Sequence, residues 1–459
     1  MKTLIGGISV KKFIRILTAL LIILLVALPV SCSGDSTSSK PAANSAAPSG
    51  KERKGNGKEK KGKDATVEFT YWESSPSDKA GFDLMIGKFA EDHPEIRLKP
   101  QIYPDNTYLD QLDTRIAAND WPDVIRYTYQ RLGKFKEGDV MLDLTDKVSR
   151  ENVDALVPAY RSALTYNGKL VGMPHHTDTI GVFYNKRMFK ESDIRIPKDA
   201  MDGWTWKELT EIAEKLKKDH KLDYAFTGIW ENRSGYRYLP FLYMNGGSVL
   251  SDDQETVTMD SPKNLEAVKL FEKWRKEDLV VKGGFTQEQQ ANMLFVAEKI
   301  AFVFSGSWHC SYMEENMAGN WGVTYMPQKD GKTGSDMGGN ALFAYKGTEC
   351  PEACGNFIDY MTSKDNVREF CEAGNFIPVR QDVIDDGLKY SEFQEEMDTF
   401  LDIVGTIDPK MAEDETSSHF QQLNTIWSEE MDPLAVDGSA SAEQVLQNCQ
   451  SRMEKEFTK

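Results

Sequence analysis

From Thr66 to Trp72 apolar and polar residues alternate, with Val67, Phe69 and Tyr71 on one face, which predicts a strand at the start of a sheet. Pro76 then opens a helix whose buried stripe is Phe82, Met85, Ile86 and Phe89. Ile96 to Tyr103 is a second strand; Tyr108, Leu112 and Ile116 line a second helix; Val124-Ile125 forms a third strand. This β-α-β-α-β order begins a parallel open sheet, whose loops at Trp72 to Ser75 and Tyr127 to Gln130 share the rim where such sheets bind ligands.

The second half repeats the alternation of strands and helices. Asn167-Gly168 predicts a tight hairpin turn. Thr205 and Glu208 form a capping box that opens a helix through Leu209, Ile212 and Leu216. Strands are predicted at Ile180 to Tyr184, Tyr224 to Trp230, Trp321 to Met326 and Ala341 to Tyr345. Met293 to Trp308, MLFVAEKIAFVFSGSW, ends a helix, turns at Glu298-Lys299 and continues as a buried strand over Ile300 to Phe304. The small residues of Ser305-Gly306-Ser307 bring backbone close to a ligand, and Trp308 then offers a flat apolar face. The same tryptophan also reads as core filler, and this residue pattern does not choose between the two.

Outside this folded body the pattern changes. Lys2, Lys11, Lys12 and Arg15 flank an apolar run from Phe13 to Val30 that ends at Ser31-Cys32. This describes an export signal over residues 1–31, and the run is barely long enough to be a membrane anchor. The terminal cysteine resembles a bacterial lipoprotein signal, which implies cleavage before Cys32 and lipidation there. Residues 32–63 are Ser, Ala, Pro, Gly and Lys, with nothing to bury, and read as a flexible tether. Its lysines suit an anionic lipid surface, at about 1 kcal/mol each when close to it.

Charge narrows the partners. The leader and tether carry +4 and +5, so the body carries −26 of a chain total of −17. An acidic body repels nucleic acid and suits a neutral or cationic ligand. Its length implies two domains. Besides Cys32 there are Cys310, Cys350, Cys354, Cys371 and Cys449, an odd number that leaves at least one thiol free. Most read as buried small apolar residues, and one disulfide stays open. Cys350 and Cys354 stand at helix spacing but lack a nearby histidine, and adjacent His175 and His176 point apart on an extended segment. No metal or other cofactor is expected, and one of the two histidines is a candidate ligand contact.

Several segments, in order, carry a family resemblance: the Gly-Ser-Trp at 306–308; Trp121-Pro122-Asp123-Val124-Ile125; Tyr166 to Pro174 followed by Tyr184-Asn185-Lys186; Asn245-Gly246-Gly247; Gly338-Gly339 before a strand; and Gly374 to Arg380. Together they resemble the extracellular solute-binding proteins, family 1, of ABC importers, the sugar-binding group that includes the maltose-binding proteins. The sequence departs from the pattern at Glu298, where Gly is usual, and at Phe302-Val303, where Ala-Met is usual.

The resemblance implies an α/β, two-lobed, periplasmic-binding-protein-like fold, each lobe an open, mostly parallel sheet with flanking helices. Residues 64–176 and 338–385 would form the first lobe, and 177–337 and 386–459 the second, joined by crossover hinges. It implies a monomeric lipoprotein, anchored outside the cytoplasmic membrane, that hands a sugar or oligosaccharide to ABC permease subunits and has no catalytic role. In that family the tryptophan at Trp308 stacks on a sugar ring, and an acid at Asp178 binds ligand; on sequence alone Asp178 reads equally as a turn or cap residue. By position on the rim, Trp72, Tyr127, Gln130, Arg131, Trp230, Glu231, Gly338 and Gly339 are further ligand-binding candidates, although Trp230 also suits the core. Gln130 stands where the maltose-binding relatives carry aspartate. Other solutes (a peptide, a polyamine or a sugar phosphate) remain alternatives, as do a surface glycan hydrolase and an adhesin. No Gly-x-Ser-x-Gly, His-Glu-x-x-His or phosphate-binding loop is present.

Overall fold

The computed structural model describes residues 65–457, apart from 74, 232–233 and 287–289. The expected export signal, the tether and the lipidation site at Cys32 lie outside the described residues. Among those described, no helix is long and apolar enough to cross a membrane.

Eleven strands are described: β1 Ala65–Glu73, β2 Ile96–Pro104, β3 Val124–Thr128, β4 Thr165–Tyr166, β5 Lys169–Leu170, β6 Met173–His176, β7 Ile180–Asn185, β8 Phe226–Gly228, β9 Phe302–Gly306, β10 Trp321–Thr324 and β11 Asn340–Ala344. They form two main sheets, ordered β2-β1-β3-β11-β6 and β10-β7-β9-β8. The pair β4-β5 is the hairpin that Asn167-Gly168 predicts, with φ of 49° and 75° at the two turn residues.

Both sheets are mixed rather than mostly parallel. In the first, β1 runs parallel to β2 and β3, while β11 is antiparallel to both β3 and β6. In the second, β7 is antiparallel to β9 and β10, and only β8 is parallel to β9. The cause in the first sheet is the connectivity: β11 re-enters it after the chain has built the second, and arrives from the opposite end. Each lobe is therefore an α/β layer structure, and the chain passes between the lobes after β6 and again before β11.

These two passages lie side by side. Gly338 N–H donates to Asp178 O (3.0 Å), and Thr177 Oγ1 donates to Gly338 O (3.0 Å). Ile180 N–H donates to Ser335 Oγ (3.0 Å), and Thr177 N–H to Ile377 O (2.9 Å). Buried backbone groups that leave a sheet must find other partners, and here the crossovers satisfy each other.

Aromatic packing fills both cores. Phe69 stacks on Tyr71 at 4.8 Å and Phe82 on Tyr71 at 4.4 Å; in the other lobe Phe226 stacks on Phe302 at 4.7 Å. Each large side chain so buried contributes about 1.5–3 kcal/mol. The predicted capping box is present, with Thr205 accepting from Glu208 N–H and Glu208 accepting from Thr205 N–H. Strand β9 begins two residues later than expected. Glu298 adopts φ 52°, and Ala301 N–H bonds Ala225 O, so ladder pairing starts only at Phe302.

The C-terminal helices divide between the lobes. The Gln394–Val404 helix packs on β7 and β10, whereas Pro409–Glu415 packs on the Pro158–Ala163 helix of the first lobe. Asp414 accepts from Tyr243 Oη (2.5 Å) and from Leu250 N–H (3.2 Å), which ties that short helix to the second lobe as well.

Candidate ligand-binding cleft

The carboxyl ends of β1, β3, β6 and β9, and the amino end of antiparallel β11, open on one cavity of about 640 Å3. This lies in the range of small-molecule sites, and at the strand ends where such sheets bind.

On the first lobe, alternation along β3 decides what faces the cavity. Arg126 and Thr128 point in; Ile125 and Tyr127 point away. Arg126 is 2% exposed, donates to Trp72 O (2.8 Å), and lies 2.8 Å from His176 Nε2. Its guanidinium sits over the Trp72 ring at 4.0 Å, while Tyr108 covers that indole at 4.8 Å. Burial, with the Arg126 charge beside it, holds His176 well below its ordinary pKa, so the ring is neutral. A neutral ring can accept from Arg126 at Nε2 and donate from Nδ1 to Thr177 O, 3.3 Å away.

On the second lobe, Trp308 follows β9 directly, with its six-membered ring against the Gly306 backbone. A Cβ at residue 306 would stand 1.9 Å from a ring atom, so a glycine is required there. Arg237 caps the indole at 4.5 Å and pairs with Asp336, which is fully buried, at 2.5 Å. Asp178 lies 3.5 Å from the same guanidinium and keeps 21% of its side chain exposed. Burial pushes the Asp178 carboxyl up to about 6, and Arg237 partly offsets that rise. His309, half-buried beside Arg237, is lowered to about 3 by desolvation and by the Arg237 charge, and stays neutral.

The site is thus two indoles, each capped by an arginine, with a carboxylate at the crossover between them. Tyr236, Tyr312 and Asn340 complete its polar edge. Trp72 is covered by Arg126 and Tyr108, so the half-buried Trp308 is the indole left to meet a ligand, beside donors and acceptors set to grip a small polar molecule.

Of the residues expected from sequence, Trp308, Asp178, Trp72, Gln130 and Gly339 line this cavity. Gly338 sits behind it, where a Cβ would stand 1.8 Å from Asp178 Oδ1. Gln130 already donates to Met337 O (2.6 Å) and Glu415 Oε2 (3.2 Å), so it braces the crossover from within the cleft. Tyr127 is corrected to a core residue: fully buried, it donates to Asp113 (3.2 Å) and packs on Phe135 because it lies on the opposite face of β3. Arg131 ends the short Tyr129–Arg131 turn that follows β3, and is not among the lining residues.

Trp230 is likewise corrected to core, stacked on Phe285 at 6.0 Å, and Glu231 beside it does not reach the cavity. Trp427 supports the site from behind, donating to Gly235 O (2.9 Å) next to Tyr236. Of the two histidines only His176 reaches the cavity; His175 packs on Phe370 at 4.1 Å. Arg380 is held by Asn152, Thr362 and Asp382 within the first lobe. Sequence reasoning missed Arg126 and Arg237. The first was readable from strand alternation; the second follows a loop whose course is set by distant residues.

The sequence profile of the bacterial extracellular solute-binding proteins matches residues 85–396. A maltotriose-binding protein from Pyrococcus abyssi is 23% identical over 318 residues, 68% of this chain and 66% of that one. A multiple sugar-binding protein from Streptococcus mutans is 23% identical over 325 residues, covering 67% and 74%. Among solved structures, the GacH receptor of Streptomyces glaucescens superposes with a TM-score of 0.71 at 22% identity, over 86% of this chain and 98% of that one. With the matched profile running from the Pro76–Asp92 helix through both crossovers and all of the second sheet, the chain belongs to the bacterial extracellular solute-binding proteins.

Proposed function

We propose that this protein captures a sugar or short oligosaccharide between its lobes and delivers it to the permease of an ABC importer. The observation that carries the reading is the seat of Trp308 on Gly306 beside Asp178. A pyranose presents an apolar C–H face that matches an indole, and a rim of hydroxyls that a carboxylate accepts in pairs. The named sugar specificities of the two relatives agree with it. Arg126 and Arg237 in the cleft argue against a polyamine, whose cations they would repel.

In this reading residues 64–176 and 338–385 move against 177–337 and most of 386–459 about the paired crossovers, and the closed form is what the permease recognises. The protein works as a monomer outside the cytoplasmic membrane, held by a lipid on Cys32, and turns nothing over. The test is calorimetric titration of the purified protein with mono- and oligosaccharides before and after long incubation. The reading requires saturable binding and an unchanged saccharide; hydrolysis products would replace it with an enzymatic one, and binding of peptides alone would remove the sugar.

A further inference from the structure

At the end of the first lobe opposite the cleft, three side chains converge from distant parts of the chain. Asp123 precedes β3, and Cys350 and Cys354 bracket the first turn of the Pro351–Met361 helix. Their ligand atoms all lie within 4.8 Å of one another, and the two sulfurs are 3.9 Å apart. We propose that Asp123, Cys350 and Cys354 form a binding site for a borderline-soft divalent cation of the zinc type, with water completing the tetrahedron.

The spacing of the two thiols fits a shared ion. Two thiolates on tetrahedral zinc, at about 2.3 Å from the ion, stand about 3.8 Å apart.

Two thiolates and one carboxylate select zinc-like ions over calcium or magnesium, which take oxygen donors. The surroundings orient the set as outer partners of a metal do. Thr348 Oγ1 donates to Asp123 Oδ1 (2.6 Å), accepts from Cys350 N–H (3.2 Å), and lies 3.5 Å and 3.7 Å from the two sulfurs. Glu68 N–H fixes the other Asp123 oxygen at 2.9 Å. Cys350 is half-buried and open to an arriving ion. Binding the ion releases the two thiol protons to solvent and joins the start of β3 to the Pro351–Met361 helix. Inspection of sequence spacing missed the site because Asp123 is remote in the chain from both cysteines.

The test is titration of the full, reduced protein with cobalt(II) under anaerobic conditions, followed by displacement with zinc(II). The expected result is one equivalent of cobalt with a sulfur-to-metal charge-transfer band, absent in Cys350→Ser and in Cys354→Ser. Both variants should melt like the metal-free parent and gain nothing from zinc, whereas zinc raises the parent's Tm. Asp123→Asn should weaken binding about tenfold or more. Three results would overturn the site: a reduced parent without the band, a band that survives in Cys354→Ser, or a protein that forms the Cys350–Cys354 disulfide in air and takes up no cobalt when reduced.

Discussion

The Trp308 indole rests on Gly306, two residues before it, so closely that no side chain fits between them: a Cβ on Gly306 would stand 1.9 Å from the ring. Gly306 ends β9, and the chain turns immediately into the Ser307–His309 turn, so the strand end itself aims the indole into the cleft.

Gly306→Ala should therefore displace the ring without unfolding the lobe, and Trp308→Ala should remove it. Loss of a central aromatic contact costs about 2 kcal/mol or more, a rise of about thirtyfold in Kd. Calorimetric titration with the cognate saccharide checks both, beside unchanged far-ultraviolet dichroism. A Trp308→Ala protein that binds as tightly as the parent would return the residue to the core.

Asp178 gives a pH dependence whose sign is fixed. Its folded pKa of about 6 exceeds the ordinary 3.8, chiefly through burial. The folded state thus holds this proton more tightly than the unfolded chain does. The favourable contribution is complete below the ordinary value and disappears as pH rises through about 6. Tm measured from pH 4 to 7 in parent and Asp178→Asn should show the difference between them changing across that window. Saccharide affinity should run the other way, rising above pH 6, where the carboxylate accepts hydroxyl protons.

Arg237 and Asp336 form a buried pair, with the carboxylate fully enclosed. Arg237→Met leaves that carboxylate uncompensated and should cost about 3–5 kcal/mol in urea denaturation. Replacing both partners by apolar residues should recover part of the loss. Equal stability of parent and Arg237→Met would contradict the pairing.

The capping box gives a smaller effect far from the cleft. Thr205→Ala frees Glu208 N–H from its 3.2 Å partner and should cost about 1 kcal/mol in the same denaturation, with ligand affinity unchanged.

Local rules made much of the fold readable. Alternation marked β1, Asn167-Gly168 marked the hairpin, and Thr205 with Glu208 marked a helix start; each is decided by residues within a few positions of one another. Strand direction is a long-range property. That β11 runs antiparallel between β3 and β6 depends on where the chain re-enters the first sheet, and no local pattern encodes it. The cleft divides in the same way. Trp308 and Asp178 stand in recognisable segments, but Tyr127 was placed by its nearness to the loop, when the two-residue period of β3 turns it toward Phe135 and gives the cleft to Arg126. Trp230 looked like a rim residue because it follows a strand, yet Phe285 from a later loop covers it. Arg237 is held at the cleft by its pairing with Asp336, a residue far along the chain just before the second crossover.

The most direct test is a thermal-shift screen of the purified protein against mono- and oligosaccharides, with amino acids, peptides, polyamines and sugar phosphates as controls. A ligand at about 100 times its Kd adds about 2.7 kcal/mol to stability, a readily visible rise in Tm. The account predicts that rise with one set of saccharides, and its loss in Trp308→Ala. A rise confined to peptides, polyamines or phosphates, with every saccharide silent, would contradict it.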